Sequence, residues 1–225
     1  MFLLAADTSG KLGSIALARV PDGRAAVAPE ILEVVPLEGG TFSAQLVPQI
    51  ADLLTKHKLR QQDIGGFAVA SGPGSFTGLR VGLAAIKGLA EILEKPIAAV
   101  SLLEAVARSG ESRGRVLAVL DAGRGEVYAG EYEVGAQVRR LSERLIPREE
   151  VLVVAVGSIV VSPDAAVIAA ARTAGFEVEQ VAQPRSDLVA RLGWEKIQAG
   201  DTMAPGELEA NYVRRSDAEI FTKTD

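Results

Sequence analysis

A chain of 225 residues has room for one large domain or two smaller lobes. At that size roughly 70–75% of the unfolded surface is buried on folding, so no disulfide framework is needed. There is no cysteine and a single histidine, His57, which excludes thiolate nucleophiles, thiolate metal sites and any zinc site built from paired imidazoles of this chain. The net charge of -5, with 24 basic and 29 acidic residues and no basic block, argues against an autonomous nucleic-acid binder. No apolar run reaches the roughly 18–20 residues of a membrane span. The apolar start, residues 1–6, is short, lacks a basic flank and is interrupted by Asp7, so it reads as a strand and not a signal peptide. A soluble, cytoplasmic protein is expected.

Residues 2–6 predict a first strand, running into the polar turn Asp7-Thr8-Ser9-Gly10. Residues 14–18 return, and residues 31–35, rich in β-branched side chains, make a third strand. Phe42, Leu46, Ile50, Leu53, Leu54 and His57 then recur at helical spacing, with Thr41 or Ser43 as the cap. Pro48 inside that pattern predicts a kink, or a helix whose regular part starts there. Residues 67–70 form the next strand, residues 76–93 a long helix stopped by Lys95-Pro96, residues 96–100 a strand and residues 102–108 a short helix.

The opening theme then repeats. Residues 115–120 form an apolar strand ending at Asp121, followed by the glycine turn Ala122-Gly123-Arg124-Gly125 and a returning strand over 126–132. Residues 151–156, 163–174 and 177–181 read as strand, helix and strand, and residues 187–198 as a helix. Two strand–Asp–turn–strand openings, each followed by helices, predict two related α/β lobes: 1–110 and a smaller 111–204, with 205–225 as a charged tail that docks in part.

The most informative segment is Ser71-Gly72-Pro73-Gly74-Ser75-Phe76-Thr77-Gly78-Leu79-Arg80. Its glycine spacing is neither the dinucleotide fingerprint nor a P-loop. Two readings stand: a tight strand-to-helix turn capped by Ser75, or an anion held at the helix N-terminus. The helix that follows is apolar on more than one face, with Leu79, Leu83, Ile86, Ala90 and Leu93 on one stripe and small residues beside it. Interior glycines cost roughly 1 kcal/mol each against alanine, so Gly78, Gly82 and Gly88 imply a close backbone, in the chain's own core or in a second chain. Asp7 and Asp121, with Thr8, Ser9 and Lys11, fit either Mg²⁺ and nucleotide phosphate or ordinary turn chemistry. His57 between two lysines is expected to meet the helix C-terminus or solvent. Tyr212-Val213-Arg214-Arg215 is flanked by acidic residues and reads as a solvated tail.

Taken together, Asp7-Thr8-Ser9, the long glycine motif, Lys87-Gly88-Leu89-Ala90, Ser101-Leu102-Leu103-Glu104-Ala105, Asp121-Ala122-Gly123-Arg124-Gly125-Glu126-Val127-Tyr128 and the ending around Tyr212 resemble the bacterial TsaB (YeaZ) family. The resemblance is strong over roughly the first 130 residues. It implies an actin-like, Hsp70-like ATPase (ASKHA) α/β fold of two ribonuclease-H-like lobes. It also implies a non-catalytic subunit, with no cofactor of its own, that dimerises with a TsaD-type enzyme. That complex includes a TsaE-type ATPase, with ATP or ADP and Mg at the level of the complex, and transfers threonylcarbamoyl to the tRNA adenosine beside the anticodon. A homodimer forms when TsaD is absent, and tRNA is met mainly through the complex, where Arg214 and Arg215 are candidate contacts. TsaD-type enzymes bind metal through first-lobe histidines, and Thr41-Phe42-Ser43-Ala44-Gln45 has none. The partner surface implied is Phe42, Leu46, Ile50 and Leu54 of one helix with Phe76, Thr77, Gly78, Leu79, Arg80, Gly82, Leu83, Ile86 and Lys87 of the other. Asp7, Thr8, Ser9, Lys11 and Asp121 become a vestigial nucleotide cleft. The alternatives are an autonomous ATPase or kinase and, by kinship, a glycoprotease-like metallopeptidase.

Overall fold

The computed structural model describes residues 1–21 and 27–213, so Arg214 and Arg215 lie outside the described residues. In chain order the elements are β1 (Phe2–Asp7), β2 (Leu12–Arg19), β3 (Glu30–Glu38), α1 (Phe42–Lys56), β4 (Ile64–Gly72), α2 (Phe76–Leu93), β5 (Ile97–Ser101), α3 (Leu102–Ser109), β6 (Gly114–Gly123), β7 (Glu126–Val134), β8 (Val138–Pro147), α4 (Val151–Val154), β9 (Ile159–Ser162), α5 (Ala165–Thr173), β10 (Val178–Gln180) and α6 (Ser186–Ala199). The chain divides into two units. One is Met1–Ser101 with Arg185–Asn211, and the other is Leu102–Pro184 with Tyr212 and Val213.

Each unit is built on a five-stranded mixed sheet. The first has the order β3-β2-β1-β4-β5, the second β8-β7-β6-β9-β10. In both, the opening strand is central, its hairpin neighbour runs antiparallel, and the strand on its other side runs parallel. This repeated order is the duplicated ribonuclease-H-like arrangement of the actin-like, Hsp70-like class.

Side-chain alternation splits the first sheet into two unlike faces. Leu4, Ala6, Ile15, Leu17, Phe67 and Val69 join Leu46, Ile50, Leu53, Leu79 and Ile86 of α1 and α2 in one core. The opposite face is small: Ala5, Ala16, Ala18, Ala68, Ala70 and Ala98 are all buried. The last helix, α6, lies on that face. A Cβ added at Gly193 would sit 2.3 Å from the Ala68 Cβ, and the Ser186 N–H donates to Ser14 Oγ at 3.0 Å. The expectation of one lobe over 111–204 is therefore corrected. Residues 185–211 return to the first unit, because only an alanine-lined sheet face admits a helix that close. Leu208 is buried in the same core and the Asn211 N–H donates to Ser71 O at 2.7 Å.

Two further expectations change. Residues 151–156 do not form a strand. The run Val151-Leu152-Val153-Val154 is one helical turn with only Val151 buried and Val153 73% exposed, and the neighbouring strand is β9. The edge strand β8 was not anticipated, since its charged sequence shows no apolar alternation. Cross-strand ion pairs hold it instead: Arg139 to Glu133 and Arg144 to Glu131, both 2.6 Å. The helix α1 runs unbroken from Phe42 through Pro48, whose missing N–H falls on the exposed side. Thr41 precedes it without a side-chain capping bond.

Candidate functional site

The turn after β1 lies directly on the first half of α2. A Cβ at Gly74 would meet Ser9 O at 2.5 Å, one at Gly78 would meet Thr8 O at 2.0 Å, and one at Gly82 would meet Thr8 Oγ1 at 2.3 Å. Gly78 and Gly82 stand four residues apart and so share one face of α2, while Gly74 precedes the N-cap Ser75. Hydrogen bonds complete the contact. The Thr8 hydroxyl donates to Gly78 O at 2.7 Å, and the Ser75 N–H donates to Ser9 O at 2.7 Å. Ser75 caps the helix as expected, accepting from the Gly78 N–H at 3.3 Å. The close backbone implied by Gly78 and Gly82 is thus this chain's own β1–β2 turn. Gly88 differs: nothing lies within 4 Å of a Cβ there.

The turn's polar groups are spent internally. Asp7 is 5% exposed and accepts at Oδ1 from the Ser9 N–H (2.9 Å) and the Ser9 hydroxyl (2.6 Å). Burial pushes the Asp7 carboxyl above its ordinary value, and the Ser9 bonds oppose this without cancelling it. Thr8 and Ser9 are also buried. Lys11 is exposed and lines a groove of about 420 Å³ with Gly39, Gly40, Ser43, Thr77 and Val81. In the second unit Asp121 has the opposite surroundings. It is exposed, 2.7 Å from Arg148, and accepts from the Gly123 N–H at 3.2 Å, while Arg148 also reaches Asp164 at 3.2 Å. Among the described residues no group of three or more His, Cys, Asp or Glu side chains could hold a metal ion.

His57 meets a partner the sequence did not suggest. Its Nε2 lies 2.9 Å from Glu33 Oε2 on β3, and Lys56 Nζ lies 2.6 Å from Glu33 Oε1. Those two hydrogen bonds hold the Glu33 carboxyl below its ordinary value.

The residues expected at a partner surface divide sharply. Phe42, Leu46, Ile50, Leu54, Gly78, Leu79, Gly82, Leu83 and Ile86 are buried in the unit's own core. Phe76, Thr77 and Arg80 are exposed and Lys87 is half-buried, with the Arg80 guanidinium stacked 3.7 Å from the Phe76 ring centroid. The outward side of the helix pair is made instead by Ala44, Val47 and Ala51 of α1 and by Val81, Ala84, Ala85, Gly88 and Ile92 of α2. These positions are legible as the residues interleaved between the core stripe, whereas the surface implied by the resemblance lies mostly on the stripe itself.

The comparisons with known proteins agree with this architecture. The family model described as "TsaD: tRNA N6-adenosine threonylcarbamoyltransferase" matches residues 34–189. The chain is 35% identical over 153 residues to the tRNA threonylcarbamoyladenosine biosynthesis protein TsaB of Bacillus subtilis, covering 68% of this chain and 62% of that one. It is 37% identical over 136 residues to the protein of the same name from Escherichia coli, covering 59% and 55%. The match therefore spans less than two thirds of either relative. Among solved structures, YeaZ from Pseudomonas aeruginosa superposes with a TM-score of 0.71 at 24% identity, over 94% of this chain and 99% of that one. A crystal structure described as an uncharacterized protein with similarity to peptidase YeaZ from the same organism gives 0.73 at 25% identity, over 95% and 99%. The chain belongs to the family that the TsaD model describes and, within it, to the TsaB (YeaZ) group.

Proposed function

We propose that this chain is a non-catalytic scaffold and activator that dimerises with a TsaD-type enzyme for threonylcarbamoylation of the tRNA adenosine next to the anticodon. The observation that carries this reading is the contrast between the two sides of the α1–α2 pair. The polar turn with nucleotide-like chemistry is packed inward. The outward side is small and apolar, with Val47 55% and Ile92 79% exposed beside Ala44, Ala51, Ala84 and Gly88. Small residues let a second pair of helices approach closely, and a stable contact of this type buries on the order of 1,600 Å². The same surface serves a homodimer when the enzyme is absent. A TsaE-type ATPase joins at the level of the complex, as do ATP or ADP, Mg and tRNA, and the working compartment is the cytoplasm.

An Ala84→Arg variant tests the reading. Ala84 is exposed, so the charge leaves the isolated fold intact while blocking a close apolar contact. Co-purification with the TsaD-type enzyme should be lost, and tRNA modification in a reconstituted mixture should fall to the level seen without this chain. Unchanged binding removes this surface from the interface. An autonomous ATPase or kinase would need Asp7, Thr8 and Ser9 to face a nucleotide, whereas the Thr8 hydroxyl is already donated to Gly78 O on α2 and the Ser9 hydroxyl to Asp7 Oδ1.

A further inference from the structure

We infer that Thr8 is a positioning residue for the partner surface: it sets the seat of α2 without touching the partner. The inference rests on the proposed function and names a residue outside the outward face of α1 and α2.

The geometry points to Thr8 in three ways. First, it is 2% exposed, so no partner atom reaches it. Second, it contacts α2 at two successive turns. Its carbonyl oxygen lies where a Gly78 Cβ would be, and its Oγ1 lies where a Gly82 Cβ would be, at 2.0 and 2.3 Å. Third, its hydroxyl donates to Gly78 O at 2.7 Å, a bond buried and 70 residues distant in sequence. Thr8, the residue directly after β1, thereby holds the first two turns of α2 through its carbonyl and its short side chain, with no flexible side chain from the helix in between. The residues that follow Gly78 and Gly82 by two or three positions, exposed Arg80 and Ala84 and half-buried Val81 and Ala85, take their height above the sheet from that seat. Interfaces built of small residues tolerate little error, because close-packed atoms lose contact steeply with displacement.

The conservative series at this position separates seating from bulk stability. Thr8→Ser keeps the hydroxyl, while Thr8→Val keeps the shape and removes the hydroxyl's donation to Gly78 O. Affinity for the TsaD-type enzyme is measured by calorimetry at a temperature where circular dichroism shows each variant fully folded. Amide hydrogen exchange over residues 76–82 is followed in parallel. The expected result is a Kd for Thr8→Ser within about twofold of the unsubstituted chain and a Kd for Thr8→Val weaker by about tenfold, because a seat loosened by one lost hydrogen bond must be re-ordered when the partner binds. Exchange should accelerate at residues 76–82 in Thr8→Val alone. If Thr8→Val does not fold, Gly82→Ala carries the test, since its Cβ pushes directly on Thr8 Oγ1 and the same weakening is expected. Equal affinity of Thr8→Val, or of Gly82→Ala in its place, and the unsubstituted chain overturns the inference and leaves the proposed function standing. Failure of the unsubstituted chain to bind the enzyme at all overturns both.

Discussion

Alanine at Gly78 and alanine at Gly88 should move stability in opposite directions, although both glycines lie inside α2. At Gly78 the added Cβ would sit 2.0 Å from the Thr8 carbonyl oxygen, where ordinary contact begins near 3.4 Å. Backbone must move by more than an ångström on one side or the other. Such overpacking costs about 1–3 kcal/mol or more, and loosening the Thr8–Gly78 and Ser75–Ser9 hydrogen bonds adds about 1 kcal/mol each. Better helix propensity returns roughly 1 kcal/mol. The net loss for Gly78→Ala is roughly 2–4 kcal/mol, a fall in melting temperature on the order of 10 °C. At Gly88 no atom lies within 4 Å of the new Cβ, so Gly88→Ala keeps the propensity gain and stabilises by about 0.5–1 kcal/mol. Trp194, the single tryptophan, is 4% exposed on α6 and reports on this unit, so denaturant titration by fluorescence reads both effects. A Gly78→Ala variant melting with the unsubstituted chain would refute the account of the glycine motif as the imprint of the β1–β2 turn. Gly88→Ala has a second readout. If the enzyme's backbone approaches the open glycine, the variant that stabilises the isolated chain weakens the complex.

Two carboxylates give opposite pH signatures. The Asp7 carboxyl is raised from its ordinary 3.8 by burial, so the stability it contributes is complete below that pH and is lost as pH rises through the raised value. Asp7→Asn stays neutral and should match the unsubstituted chain in acid but melt higher at neutral pH; parallel melting curves at every pH would contradict this. Glu179 behaves in reverse. Burial pushes its carboxyl up, but the Ser112 hydroxyl, the N–H groups of Glu111 and Ser112 (2.7 and 3.0 Å) and Arg113 hold it below 4.5. Its stabilisation is present above pH 4.5 and lost as pH falls through the lowered value. Glu179→Gln should lower stability at neutral pH by on the order of 1–2 kcal/mol, with the difference vanishing in acid and residues 110–112 exchanging amide hydrogens faster.

The parts whose physics is local are legible in the order of the amino acids. Alternating or continuous apolar runs placed the central strands, Ser75 announced the start of α2, and the strand–Asp–turn–strand theme, stated twice, revealed the duplicated α/β plan. It could not place β8, whose charges make sense only beside Glu131 and Glu133, or see that Val151-Leu152-Val153-Val154 turns helical where a single side chain is buried. Nor could it say which face of α2 was which. Leu83 and Ile86 looked like the natural surface for a partner, and the tertiary structure put them in the core and turned Ala84 and Gly88 outward. The glycines at 78, 82 and 88 signalled a close approach; none is made at Gly88, and at Gly78 and Gly82 the identity of the approaching residue depended on a turn some 70 residues away. Propensity and periodicity act through neighbours in sequence. The return of α6 to the first sheet and the seat of α2 on Thr8 are decided by which surfaces fit at contact distance, and only the folded chain brings those surfaces together.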